Sequence, residues 1–248
     1  MVASLRAAAD GPAQTLIDGR SYQMALHKGA LGRPAHKGRR LNGLLAMVEE
    51  VLGEPPRVSE LPLTAKGLED VGLLIILTRR RDEPDFRFCR DEFQGIEGHL
   101  RTGGALLVMT NHAPYAENDR VLINQVAGRY GVSVGGLEGI RGQGETHIEG
   151  DDIKSHPITK GVQALHFRSS HILSCSPRER VSILATIPGL SAPHNVFAVA
   201  IDGPGRMVIG ADSGFICDES DAPDTGYLDH EDNRRFTRQL LEWLCWTR

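Results

Sequence analysis

The chain has 248 residues, 40% hydrophobic and 24% charged, with a formal net charge of -4 and a pI near 6.2. This length and apolar content suit one well-filled core, so residues 1–248 are read as a single domain with a loose start at 1–14. The acidic balance leaves no basic footprint for nucleic acid and disfavours an anionic membrane surface, so neither is expected as a partner.

The segment Met1 to Gln14 is broken by Arg6, Asp10, Gly11 and Pro12 and lacks the apolar block of a signal peptide. The longest apolar run, Val71 to Leu77, is far too short to span a bilayer. Cys89, Cys175, Cys217 and Cys245 are widely separated, with no C-x-x-C pair. Scattered thiols suit a reducing compartment better than a disulfide framework, and the expected location is cytoplasmic.

In chain order, Thr15-Leu16-Ile17 reads as a first strand ending at Asp18-Gly19, and the basic, Gly-rich stretch Arg20 to Arg40 as a loop. Leu41, Leu44, Leu45, Val48, Val51 and Leu52 recur at helical spacing, with Gly53 as the stop. Arg57 to Leu61 is a weak second strand, and Val71 to Leu77 suits a strand buried on both faces of a parallel sheet. Phe88, Phe93, Ile96 and Leu100 mark a second helix closed by Gly103-Gly104; Ala105 to Met109 is another buried strand. Val121, Ile123, Val126 and Tyr130 mark a third helix ending at Gly131. This alternation predicts an α/β fold with a doubly wound parallel sheet.

From Gly135 to Pro157 the pattern dissolves into Gly, charge and His, and the expectation is an excursion over the surface. Val181 to Ile187, Val196 to Ile201 and Met207 to Ala211 read as short strands, the last two forming an antiparallel hairpin added to the sheet. Glu231 to Trp246 is a closing amphipathic helix.

In open parallel sheets ligands bind beyond the carboxyl ends of the strands. Asp18, Arg79-Arg80-Arg81, Asn111-His112 with Tyr115, and Asp212-Ser213 all follow predicted strands. His112 stands at a strand-to-helix turn, where a neutral imidazole can take a proton near pH 7; the structural alternative is a turn histidine bonded to a backbone carbonyl. Arg79 or a neighbour could clamp an anion, although charge runs are often solvated rims. Asp212 either orients His112 or caps the following turn with Ser213. The predicted set is therefore His112 and Asp212 as catalytic residues, with Asp18, Arg79, Asn111, Tyr115 and Ser213 around the substrate.

Sharper motifs fail. Gly210-Ala-Asp-Ser-Gly214 is not G-x-S-x-G, because Ser213 falls one place late. Neither a dinucleotide nor a phosphate-loop signature is present. His147, Asp151, Asp152 and His156 make only a weak ligand set, so no cofactor is expected and a divalent metal is the minor option.

Several segments together resemble the class I glutamine-amidotransferase-like superfamily, in its non-amidotransferase branches: the ThuA-like proteins and the related intraflagellar-transport and gliding-motility domains. The segments are Leu100 to His112, Ser155-His-Pro-Ile-Thr-Lys-Gly-Val162, Met207 to Phe215, and Asp232-Asn-Arg-Arg-Phe to Trp243. The resemblance implies a flavodoxin-like fold. Amidotransferases carry a nucleophilic cysteine after the strand that ends here at Met109; this chain has Thr110-Asn111-His112, so glutamine hydrolysis through a thiolate is not expected. A histidine at a similar place, and a link to sugar metabolism, are features of the ThuA-like branch. His156-Pro157 reads as the start of an ordered turn rather than a site.

The resulting expectation is an enzyme of hydrolase, lyase or isomerase type acting on a small polar metabolite, with a sugar derivative among the candidates and His112 as general base. The alternative is a non-catalytic module on the same fold that binds a ligand or protein. A homo-oligomer is left open.

Overall fold

The computed structural model describes residues 14–19, 41–59, 61–77, 88–110, 117–140, 146–168, 170–176, 178–218 and 226–245. The expected loose start (residues 1–13 of it), the loop at 20–40, the arginines at 79–81, and Asn111, His112 and Tyr115 lie outside these residues.

The two apolar runs form the centre of the sheet, because their side chains find cover on both faces. Strand β1 is Gln14–Asp18, β2 Arg57–Ser59, β3 Val71–Leu77, β4 Ala105–Met109 and β11 Arg206–Gly210. They pair in parallel in the order β2-β1-β3-β4-β11. All five residues of β4 are buried, as are six of the seven in β3. This is the doubly wound, flavodoxin-like arrangement, with the direction of winding reversing between β1 and β3.

Helix α1 is Asn42–Leu52, α2 Arg90–Arg101, α3 Glu117–Ala127 and α4 Asn233–Cys245. The crossovers β1–α1–β2 and β3–α2–β4 run in opposite directions along the sheet, so α1 and α2 cover opposite faces. Helix α4 packs beside α1, and α3 beside α2. Gly53 ends α1 with φ 80°, its N–H donating to the Glu49 carbonyl at 2.8 Å; a residue with a Cβ would be strained there. At the other end of α1, both carboxylate oxygens of Asp218 accept from the Gly43 N–H.

The antiparallel part extends well beyond the predicted hairpin. Strand β10 (Val196–Asp202) turns into β11 as expected, but β11 also pairs with β4, so the hairpin completes the parallel sheet. On its other side β10 pairs with β9 (Val181–Thr186) and β8 (Ser170–Cys175), and β8 pairs with β5 (Val132–Ile140). The nine-stranded sheet is thus parallel in one half and antiparallel in the other.

The surface excursion expected from Gly135 to Pro157 is corrected by this pairing. Residues 132–140 are a strand at the sheet edge, and β6 (Thr146–Glu149) forms a separate hairpin with β7 (Ala164–Phe167). A strand held by its backbone needs no alternating apolar side chains, so the glycines of β5 hide it from a periodicity search. The helix expected from Glu231 starts at Asn233, because Glu231 has φ 46°. Among the described residues no helix is long and apolar enough to cross a membrane.

Candidate functional site

The register sets the carboxyl ends of three central strands level: Leu77 of β3 pairs with Met109 of β4, and Met109 with Gly210 of β11. Beyond β4 and β11 the chain runs into polar yet buried residues. Thr110 follows β4, fully buried, and its N–H donates to the Gly210 carbonyl at 2.9 Å. Asp212 and Ser213 follow β11 at 1% exposure each. Asp18 closes β1 and is also fully buried. Polar groups are expensive to bury away from water, so their concentration at one end of an apolar sheet marks that end as special.

Asp212 Oδ1 accepts from the Gly214 N–H at 2.8 Å and holds the short 3-10 turn at Gly214–Ile216. The turn-capping alternative weighed for this residue is therefore present in the geometry. Strand spacing is about 4.8 Å, so the three steps from β1 to β11 put about 14 Å of sheet between Asp18 and Asp212. Asp18 belongs to the β1–β3 switch point, whereas Thr110, Asp212 and Ser213 form one group. The other predicted residues, Arg79, Asn111, His112 and Tyr115, are outside the described residues.

A histidine that the sequence analysis did not select joins that group. Strand β10 begins only at Val196, and beyond its start β8 comes directly against the end of β11: the His171 N–H donates to the Ala211 carbonyl at 2.8 Å, one residue before Asp212. His171 is fully buried. Its Nδ1 lies 2.9 Å from the Ile172 nitrogen and 3.4 Å from the Ile172 oxygen. Nδ1 is thus within reach of both backbone groups of Ile172, accepting from the N–H in one tautomer and donating to the carbonyl in the other. Burial holds the imidazole below its ordinary 6.5; the nearby Ile172 carbonyl opposes this, and the Arg120 charge adds to it. The signal that could have found His171 is the alternation of His171, Leu173 and Cys175 along a strand, all buried while Ile172 and Ser174 are half-buried.

His156 follows the turn reading: its Nδ1 accepts from the Ile158 N–H at 3.2 Å and its ring meets Trp243 edge-on at 5.5 Å. Its pKa is lowered by burial, with the Asp202 charge acting the other way. His147 stacks on His166 with centroids 4.4 Å apart, and His166 Nδ1 is 3.2 Å from His230 Nδ1. Among the described residues no group of three His, Cys, Asp or Glu side chains is arranged to hold a metal ion.

No protein-family model and no curated protein matches the sequence. Solved structures do. The "mmIFT52 N-terminal domain" superposes with a TM-score of 0.69 at 18% identity, covering 94% of this chain and 98% of that one. The Cytoplasmic Protein STM3548 from Salmonella typhimurium gives a TM-score of 0.60 at 12% identity, covering 93% and 98%. A ThuA-like protein from Bacteroides uniformis ATCC 8492 gives 0.53 at 12% identity, covering 94% and 92%. At such identities the likeness speaks to the fold alone, and the fold is one this chain shares with ThuA-like proteins.

Proposed function

We propose that this chain is an enzyme that binds a small polar metabolite at the carboxyl ends of β1, β4 and β11 and acts on it by proton transfer, as a hydrolase, lyase or isomerase. The carrying observation is the concentration of Asp18, Thr110, His171, Asp212 and Ser213, all buried, at the end of the sheet where open α/β folds take their ligands. His112, two positions past Thr110 in the chain, is the proposed general base; Asp212 is its orienter, and Asn111, Tyr115, Ser213 and Arg79 complete the substrate set. With no cysteine in Thr110-Asn111-His112, the reading belongs to the non-amidotransferase side of the superfamily. The four free thiols fit a cytoplasmic setting.

One observation favours a second reading, a binding module without turnover: an Asp212 oxygen is already committed to the Gly214 N–H. A thermal-shift screen of hydroxylated and carboxylated metabolites separates the two, since a ligand selective for the folded state raises its stability. The enzyme reading expects at least one hit to be turned over and His112→Ala to abolish that turnover. Full turnover by His112→Ala removes His112 from the mechanism, and hits that bind without being turned over support the binding module.

A further inference from the structure

We infer that His171 is a ligand-binding residue of the proposed site, and that its Nε2 shares a hydrogen bond with a neutral hydroxyl group of the metabolite. The inference deepens the proposed function and rests on its choice of the carboxyl ends as the ligand site.

The first observation is the place of His171 in the sheet. Strand β10 is antiparallel to both β11 and β8, so β8 and β11 run in the same direction. Their contact joins the second residue of β8 to the residue that follows β11: the His171 N–H donates to the Ala211 carbonyl at 2.8 Å. Strand β8 therefore begins where β11 ends, and Ile172 to Cys175 run on past the carboxyl ends of the parallel half. At the usual rise of a strand these residues make a wall roughly 13 Å high beside the ends of β4 and β11. Strand β5 backs it, with Val132, Ser133 and Val134 pairing with Cys175, Ser174 and Leu173. His171 stands at the foot of that wall, one residue along the sheet from Asp212.

The second observation is the direction of the ring. Nδ1 lies 2.9 Å from the Ile172 nitrogen, so the imidazole leans along the strand towards Ile172, one step further from the apolar interior. Nε2 is the ring nitrogen remote from that backbone. It is buried and has no hydrogen-bond partner. Buried polar atoms in folded proteins nearly always have partners, and an exception calls for a ligand or a water.

The third observation is what such a partner must do. When Nδ1 accepts from the Ile172 N–H, Nε2 carries the proton and donates; when Nδ1 donates to the Ile172 carbonyl, Nε2 accepts. A hydroxyl serves both tautomers, because its oxygen accepts and its hydrogen donates. A carboxylate suits only the first and an ammonium only the second. Either would also bring a net charge to a fully buried ring, which burial already biases towards its neutral form. The neutral hydroxyl is the partner with the lowest desolvation cost.

The test uses the full chain with 15N-labelled histidine and small probes of each class: glycerol and myo-inositol for the hydroxyl, acetate for the carboxylate, methylammonium for the ammonium. At least one hydroxyl probe is expected to shift the His171 Nε2 resonance in a long-range 15N–1H spectrum, with the charged probes leaving it in place. Dissociation constants follow from the backbone amide shifts of Ala211 and Ser213. His171→Leu should weaken hydroxyl binding at least tenfold, with the rest of the amide spectrum retained. His171→Gln, whose side-chain amide can donate and accept, should restore part of the loss; if the leucine variant does not fold, the wild-type and glutamine spectra decide. Equal binding by wild type and His171→Leu overturns the inference, as does a shift by a charged probe as large as that by the hydroxyl probes. An Nε2 resonance unmoved by all the probes overturns it too, and leaves a bound water as the partner. Turnover that depends on His112 with kcat and KM unchanged in His171→Leu would remove the inference and keep the enzyme reading; hydroxyl binding through His171 without turnover would do the reverse.

Discussion

Asn233 shows how much one side chain can organise. It is fully buried, its Oδ1 accepts from the His166 N–H at 2.9 Å, and its Nδ2 donates to the His166 and Tyr227 carbonyls at 2.7 Å each. One amide thereby ties the start of α4 to the β6–β7 hairpin. Removing it leaves backbone groups buried without partners, which costs more than the bonds themselves contributed. Asn233→Ala is expected to lower stability by about 3 kcal/mol, read as a fall in the urea midpoint with an unchanged m-value. Asn233→Asp keeps the acceptor but sets a buried carboxylate oxygen against the two carbonyls, and should be at least as destabilising as Asn233→Ala. The sequence drew attention to Asp232-Asn233 only as part of a resemblance; nothing in local spacing reveals a partner 67 positions away. His171 was missed for a related reason: no Gly or Pro separates Phe167 from Ser170, so the end of β7 and the start of β8 carry no visible punctuation.

At the scale of elements, legibility followed the side chains. Helix α1 and strands β3 and β4 were readable because their apolar spacing is set by packing on both sides of the sheet. Strand β5 was not, because its pairing is made by backbone groups. The hairpin β10–β11 was legible through Asp202-Gly-Pro-Gly205, although its insertion beside β4 was not, since long-range pairing leaves no local mark. The same turn explains a glycine. A Cβ on Gly205 would lie 2.2 Å from the Gly104 carbonyl oxygen and 2.5 Å from that of Leu100, both backbone atoms in the turn that ends α2. Neither can swing aside, so the hairpin must move away from α2. Gly205→Ala is expected to destabilise by about 2–3 kcal/mol, whereas Gly128→Ala, with nothing within 4 Å of its Cβ, should be near neutral. Thermal unfolding of the two variants side by side checks the contrast; equal melting temperatures would mean that the hairpin is not seated against α2.

At the scale of the whole molecule, the sheet separates an apolar interior from a polar carboxyl end, and the buried histidines translate that division into a pH dependence. His171 and His156 both have pKa values held below 6.5, chiefly by burial. The Ile172 carbonyl and Arg120 act on the first in opposite directions, and Asp202 partly offsets the shift of the second. A folded-state pKa below the unfolded one means that the unfolded chain takes up protons first on acidification. Stability therefore rises with pH across that window: it is complete above about 6.5 and is lost as pH falls below it. Each histidine can contribute at most about 1.4 kcal/mol per pH unit. Urea unfolding at pH 7.5 and 5.0 is expected to show a lower midpoint at the acid pH. His171→Gln and His156→Gln, which cannot titrate, should each flatten the dependence, most clearly in combination. If the double variant kept the wild-type slope, carboxylates rather than imidazoles would set the acid limit.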